Sequence, residues 1–254
     1  MIKVNNLRKG FNDNEILKGI STEFERGKTN LIIGTSGSGK TVFLKCLLGL
    51  YQPDKGNILH NNKDYSQVDS EERRDLRQKM GMVFQGSALF DSMTVFENVM
   101  FPLEMFSSQV KSEMHDRVNS ILKRVNLEKA HHKLPSQISG GMQKRVAIAR
   151  AIVTNPEFLF CDEPNSGLDP KTSIVIDNLL QELTEEFNIT TVINTHDMNS
   201  VMEIGEKIVF LKEGLLRWEG NKSEIFQTDN KDVTDFVYSS NLFKKVREAQ
   251  LKNL

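Results

Sequence analysis

The run Gly34-Thr35-Ser36-Gly37-Ser38-Gly39-Lys40-Thr41 fits the pattern G-x-x-x-x-G-K-[ST], a loop built to hold phosphate groups. Its glycines let the backbone curl, so that successive N–H groups point at phosphate oxygens with no Cβ in the way. A helix expected to follow presents its unpaired N–H groups and positive dipole end to the same anion. That dipole contributes only about 0.3–1 kcal/mol, or up to ~2 kcal/mol when partly buried. Holding a triphosphate therefore falls largely to Lys40 as a point charge and to a Mg²⁺ ligand at Thr41. Further along, Asp162 and Glu163 end the apolar run Phe158-Leu159-Phe160-Cys161. In an open α/β sheet, ligands gather at the carboxyl ends of strands. There Asp162 can hold Mg²⁺ through water, and Glu163 can reach a water that attacks a γ-phosphate. Two acids can equally be a solvated strand end, but the apolar run before them and the phosphate loop upstream favour chemistry. His196 follows the apolar run Thr190–Asn194. A lone His is more often structural; at a strand end in this sheet it can contact a γ-phosphate. A second anion-binding device is Ser139-Gly140-Gly141, small residues at the start of a helix with Ser139 as N-cap.

These residues need elements to position them. Thr29–Ile33 reads as a buried strand ended by Gly34, and Val42–Leu48 as a helix with Gly49 as its C-cap. Upstream, Ile2–Leu7 and Ile16–Phe24 read as strands around an Asn12-Asp13-Asn14 turn. Phe11 falls in a loop, either as a packing residue or as a face for an adenine ring, where stacking is worth roughly 1–3 kcal/mol. Tyr51–Leu59 is a turn into a strand, Ser70–Lys79 a solvated helix, and Met80–Gln85 a second buried strand. Residues 86–105 are apolar but interrupted by Gly86, Asp91-Ser92 and Pro102, partly core and partly a candidate partner surface. An amphipathic helix spans 108–127, with Val110, Met114, Val118, Ile121, Leu122 and Val125 on its stripe. The helix after Ser139 buries Val146, Ile148, Ala149 and Ile152. Pro164–Thr172 reads as a loop, Ser173–Phe187 as a helix, and Lys207–Glu219 as a hairpin across Glu213-Gly214. In Asn221–Leu254, Ile225, Phe226, Phe236, Val237, Leu242, Phe243 and Val246 are spaced as short amphipathic helices. This tail either packs on its own domain or reaches another subunit.

Size and charge limit the function classes. A chain of 254 residues suits one domain, or one with a small appendix, and 38% hydrophobic residues suffice for a core. A net charge of -1 supplies no electrostatic argument for nucleic acid. No apolar run reaches bilayer-spanning length, and Met1–Arg8 lacks the apolar core of a signal peptide. Cys46 and Cys161 sit in apolar runs with no metal spacing, as reduced, buried hydrophobes. A cytoplasmic location is expected.

Taken together in order, these residues resemble the ATP-binding-cassette (ABC) ATPases over residues 1–220. Phe11 stands at the aromatic A-loop position, Gly34–Thr41 at Walker A, and Gln85 at the Q-loop. Ile138-Ser139-Gly140-Gly141-Met142 matches the signature, Asp162 and Glu163 end Walker B, Ser166-Gly167-Leu168-Asp169 matches the D-loop, and His196 the H-loop. Ile138 replaces the commoner Leu and Phe11 the commoner Tyr. Cys161 is less apolar than the usual Walker B residue. The resemblance implies an α/β P-loop NTPase fold with a RecA-like core, an N-terminal antiparallel β subdomain and a helical signature subdomain at about 86–155, followed by a C-terminal helical extension over 221–254. It also implies ATP and Mg²⁺ as ligands. Gly34, Thr35, Ser36, Gly37, Ser38, Gly39, Lys40 and Thr41 would bind ATP, with Thr41, Gln85 and Asp162 around Mg²⁺. Glu163 would polarise the attacking water and His196 contact the γ-phosphate. Ser139, Gly140, Gly141 and Gln143 of the signature would face the opposite subunit's ATP, and Asp169 would be the D-loop residue. With one cassette and no internal repeat, the chain is expected to pair as a C₂ homodimer.

In ABC transporters the segment after Gln85 docks a membrane subunit, which here would fall to Leu89, Phe90, Met93 and Phe96. The run Gln85–Leu103 is similar to the ATPases of Mla/Mce-type phospholipid transporters. That likeness implies lipid movement through a separate permease, with an Mce-type lipid-binding protein as a further partner, no nucleic acid, and a place on the inner face of the cytoplasmic membrane. The alternatives are the ATPase of another ABC system, such as amino acid or lipoprotein transport, or a mechanical subunit without transport.

Overall fold

The computed structural model describes residues 1–12, 14–65 and 67–238. The chain starts with β1 (Ile2–Phe11), β2 (Asn14–Phe24) and β3 (Thr29–Ile33), followed by α1 (Lys40–Leu47). Next come β4 (Lys55–His60), β5 (Lys63–Asp64), α2 (Ser70–Gln78) and β6 (Met80–Val83). Three helices follow: α3 (Val95–Phe106), α4 (Lys111–Arg124) and, after a 3₁₀ turn at Pro135–Gln137, α5 (Gly140–Ile152). The chain then alternates through β7 (Phe158–Asp162), α6 (Pro170–Glu186), β8 (Thr190–Asn194) and α7 (Met198–Ile204). It returns in the hairpin β9 (Lys207–Lys212) and β10 (Leu215–Gly220), and ends its described part with α8 (Lys231–Val237).

Two sheets result. The first is antiparallel, in the order β2-β1-β4-β5. The second has the order β10-β9-β3-β8-β7-β6, and all its neighbours run parallel except β10 against β9. A parallel sheet must be covered on both faces, and every residue of β3 and β8 is buried. Alternation along the strands assigns the two faces. Leu31, Ile33, Leu159 and Cys161 join the core shared with α3–α6, while Ile32, Phe158 and Phe160 join the core under α1 and the first sheet. Because β3, β6, β7 and β8 point the same way, their carboxyl ends meet at one edge. That edge receives Gly34, Gln85, Glu163 and His196.

Several boundaries differ from those read off the sequence. Helix α6 begins at Pro170 rather than Ser173, because Asp169 caps it by accepting from Lys171 and Thr172 N–H at 3.1 Å and proline suits a first helical position. Val110 is the exposed N-cap of α4, not part of its apolar stripe. Pro102 lies inside α3 without breaking it. Losing one backbone bond there costs about 3 kcal/mol, offset by a Thr94/Glu97 capping box and by burial of Val99, Met100 and Leu103. Phe11 ends β1 instead of lying in a loop, and β6 stops at Val83, two residues before Gln85. At the C-terminal side, Ile225, Val233 and Val237 are buried in the main core, and Phe236 packs on Phe210 at 5.2 Å. Leu242, Phe243 and Val246, like Asp13 of the first turn, lie outside the described residues.

Buried His60 makes the fold pH-sensitive. Its Nε2 hydrogen-bonds the Leu47 carbonyl at 2.9 Å, and its ring meets Phe158 edge-on at 5.1 Å. Burial pushes its pKa down from 6.5 to about 4. The unfolded chain therefore takes up a proton first, and stability present above pH 6.5 is lost as the pH falls toward 4. The single-site loss is about 3 kcal/mol. Thermal melts of wild type and His60→Leu across that window check it: the substitution should flatten the acid slope.

Candidate active site

Strand β3 delivers the chain to Gly34, which has φ 149° and whose Cβ, were there one, would lie 2.2 Å from the Leu211 carbonyl of β9. No other residue fits this turn. The loop then curls into α1, and the Lys40 ammonium folds back over it, donating to the Gly34 carbonyl at 2.8 Å and the Thr35 carbonyl at 3.0 Å. Lys40 is buried, and that burial lowers its pKa against the opposing charges of Glu163 and Asp162. Ser38 Oγ is buried with no hydrogen-bond partner among the described residues. Thr41 is exposed in the first turn of α1. The loop lines a cleft of about 660 Å³ together with Ile16, Glu163, His196 and Phe236.

Of the residues expected around Mg²⁺, Thr41 lines this cleft while Gln85 and Asp162 do not; Glu163, next to Asp162, does. Glu163, the first residue beyond β7, has φ 47°, a left-handed conformation rare for a side chain of its size. Its own N–H donates to the Asn194 carbonyl of β8 at 3.0 Å, pinning that backbone. Its carboxylate is held from both sides. Gln85 Nε2 donates to Oε2 at 3.0 Å, and His196 Nδ1 lies 2.9 Å from Oε1. Asp162 Oδ1 accepts from Asn194 Nδ2 at 3.0 Å, and Asn194 is fully buried with its Oδ1 unpartnered among the described residues. Gln85 Nε2 also reaches Ser166 Oγ at 3.2 Å. Thr41 hydroxyl, Gln85 amide and Asp162 carboxylate are hard oxygen donors of the kind Mg²⁺ takes beside substrate phosphates. An orphaned buried hydroxyl, a closed loop and a lysine beside it fit a nucleotide's phosphates.

Three residues the sequence reading passed over belong to this neighbourhood. Asn194 orients Asp162. Lys144 of α5 is buried and donates to the Gln85 carbonyl. Asp177 of α6 is buried and accepts from Asn165 at 2.7 Å, with its pKa raised to about 6 by burial. A charged side chain four residues before buried Ile148, on the apolar side of α5, was the signal for Lys144.

Ser139, Gly140 and Gly141 lie elsewhere. Ser139 Oγ accepts from the Met142 N–H at 3.3 Å, and Gln143 Nε2 donates to the Pro135 carbonyl at 2.9 Å. A Cβ at Gly141 would meet Thr172 Cγ2 at 2.7 Å, so glycine lets α5 and α6 start side by side. With Gly167, Leu168 and Asp169, the signature residues line a cleft of about 470 Å³ that shares no residue with the phosphate-loop cleft. Phe11 is exposed, edge-on to Tyr51 at 5.1 Å with the Lys9 ammonium above its ring, and is not among the residues lining the phosphate-loop cleft. Of the residues expected to face a membrane subunit, Phe90 is exposed, and it lines an apolar groove with Phe84, Phe101 and Phe106. Leu89 and Met93 are half-buried. Phe96 packs inward against His115 and His131, at 5.0 and 5.9 Å, and is not in the groove's lining.

Comparison with known proteins places this geometry. A family described as ABC transporter matches residues 17–166. A methionine import ATP-binding protein of Bacillus thuringiensis is 38% identical over 94% of this chain and 72% of its own length. One from Clostridioides difficile is 36% identical over 93% of this chain and 74% of its own. Among solved structures, cbiO1 of Clostridium perfringens, part of the ABC transporter complex cbiONQ, superposes with a TM-score of 0.84 at 32% identity over 98% of each chain. The dimeric ATP-binding cassette MJ0796, bound to ADP and Pi, gives 0.78 at 35% identity over 87% of this chain and 99% of its own. The chain belongs to the ABC transporter family, as an ATPase cassette that takes ATP and Mg²⁺.

Proposed function

We propose that this chain is the ATP-hydrolysing subunit of an ABC importer for an amino acid of the methionine class, acting as a homodimer on the inner face of a membrane through a separate permease. The observation that carries the dimer is the separation of the two clefts, since a nucleotide on Lys40 leaves Ser139–Gly141 of the same chain in a different cleft. Two copies related by a two-fold axis bring each signature to the other's nucleotide. Lys40 and the loop amides would hold the phosphates, and Thr41, Gln85 and Asp162 would hold Mg²⁺, which would supply neutralisation of the phosphate charge that grows during hydrolysis. Glu163, held between Gln85 and His196, accepts a proton from the attacking water. His196, which lines the same cleft, would contact the γ-phosphate, and Asp169 would set the D-loop at the dimer seam. Phe11 offers an aromatic face beside the nucleotide. Residues 1–220 form the cassette, with 86–155 as its helical signature part and 221–254 as a C-terminal extension. The groove beside Phe90 receives the permease. No helix among the described residues is long and apolar enough to cross a membrane.

The names of the relatives favour amino acid import over the phospholipid transport suggested by the run Gln85–Leu103. That run keeps phospholipid as the second reading. Reconstitution with the permease that co-purifies with the chain separates them. ATP-dependent uptake of labelled methionine, at a rate at least tenfold above that of labelled phospholipid transfer, is expected; the reverse ratio overturns the amino acid assignment and leaves the ATPase intact.

A further inference from the structure

Between β6 and α3 the backbone takes an unusual path. Ser87 and Ala88 both have positive φ, 63° and 48°, a region that side chains other than glycine rarely adopt and that persists only where the surroundings impose it. The surroundings here are two cations on α5. Arg150 donates from Nη2 to the Ser87 carbonyl at 2.9 Å and from Nη1 to the Ala88 carbonyl at 2.8 Å. Lys144 donates to the Gln85 carbonyl. Lys144 is 5% exposed, and that carbonyl is its one hydrogen-bond acceptor among the described residues. Burial lowers its pKa, with Cys161 and Glu163 opposing. A buried ammonium facing one carbonyl is a poor stabiliser, because desolvation can exceed what the contact returns. Stability therefore does not account for Lys144. Its position does: the residue it grips is the one whose side chain meets Glu163 at 3.0 Å.

We propose that Lys144 and Arg150 are positioning residues for hydrolysis, which hold the loop 85–88 from one helix so that Gln85 stays against Glu163. Helix α5 thus carries the signature at its start and the anchors of the hydrolytic loop along its length. The proposal rests on Glu163 as the base, so the two must be able to fail separately.

The experiment compares steady-state ATP hydrolysis by the full chain with Lys144→Gln, Lys144→Arg, Gln85→Ala, the Gln85→Ala/Lys144→Gln double variant and Glu163→Gln. Lys144→Gln should lower kcat about ten- to a hundredfold, the scale of a catalytic group misplaced by an ångström. KM for ATP should stay within about twofold, and the thermal midpoint should hold or rise. Lys144→Arg should restore most of kcat. On the Gln85→Ala background, Lys144→Gln should cost nothing more, as expected of residues acting through one another. An unchanged kcat, a fully additive loss on that background, or a loss that tracks a lowered midpoint and is not rescued by Arg overturns the clamp. If Lys144→Gln does not fold, Arg150→Lys makes the same test, since it keeps the charge but not the two-carbonyl fork. Glu163→Gln at full turnover would instead remove the base assignment beneath it.

Discussion

Glu163→Gln lowers ATP turnover by about 10²–10⁴ while nucleotide binding stays intact, because the substitution removes a proton acceptor and leaves the phosphate loop untouched. The carboxylate is placed by three independent restraints. Its backbone is pinned in a left-handed conformation by the Asn194 carbonyl, and its two oxygens are held by Gln85 and His196. The amide is nearly isosteric, yet it cannot accept from both sides, so its orientation as well as its basicity is lost. Lys40 keeps its two loop carbonyls, neither of which involves Glu163, and loses only the Glu163 charge that opposes the lowering of its pKa. Rapid-quench hydrolysis beside equilibrium binding of Mg·ATP reads both quantities. Turnover within threefold of wild type, or a matching loss of ATP affinity, would show that Glu163 is not the base.

Local chemistry was legible in the sequence wherever a residue type has one physical use. Gly34 ends a buried strand and must be glycine, since its Cβ would strike the Leu211 carbonyl. Glu163 and His196 follow apolar runs, and the parallel sheet puts the ends of such runs side by side. The Glu213-Gly214 turn closes its hairpin with two left-handed residues, of which the sequence signals only the glycine. Legibility failed where partners are distant in the chain. Lys144 stands out as a charge on the apolar side of α5, but its partner Gln85, 59 residues away, comes only with the fold. Pro102 reads as a breaker because the burial that tolerates it is tertiary. Asp169-Pro170 is a local cap-and-start signal that a loop reading overlooked. Phe96, an aromatic in an apolar run, serves intramolecular packing although its neighbour groove faces out. The transported substrate is the least legible of all, since the run Gln85–Leu103 resembles phospholipid-transport ATPases while the relatives' names point to methionine import.

Mixing two inactive variants should restore hydrolysis. Lys40→Met removes the ammonium that closes the phosphate loop, and Gly141→Glu places a bulky anion where α5 meets Thr172 and where a partner's phosphate would dock. Each homodimer then lacks one component at both of its sites, and each should fall to background. In a heterodimer the lesions segregate. One site combines the defective loop with the defective signature, while the other combines an intact Lys40 from one copy with an intact Gly141 from its partner. With random pairing and independent sites, an equimolar mixture recovers roughly a quarter of wild-type turnover. If instead each chain completed its own site, every copy in the mixture would still carry a lesion, and activity would stay at background. The outcome turns on a single structural fact, that the cleft at Ser139–Gly141 and the cleft at Lys40 have no residue in common. Two clefts with no lining residue in common would not close on one nucleotide within a chain, whereas a two-fold pair would close on two.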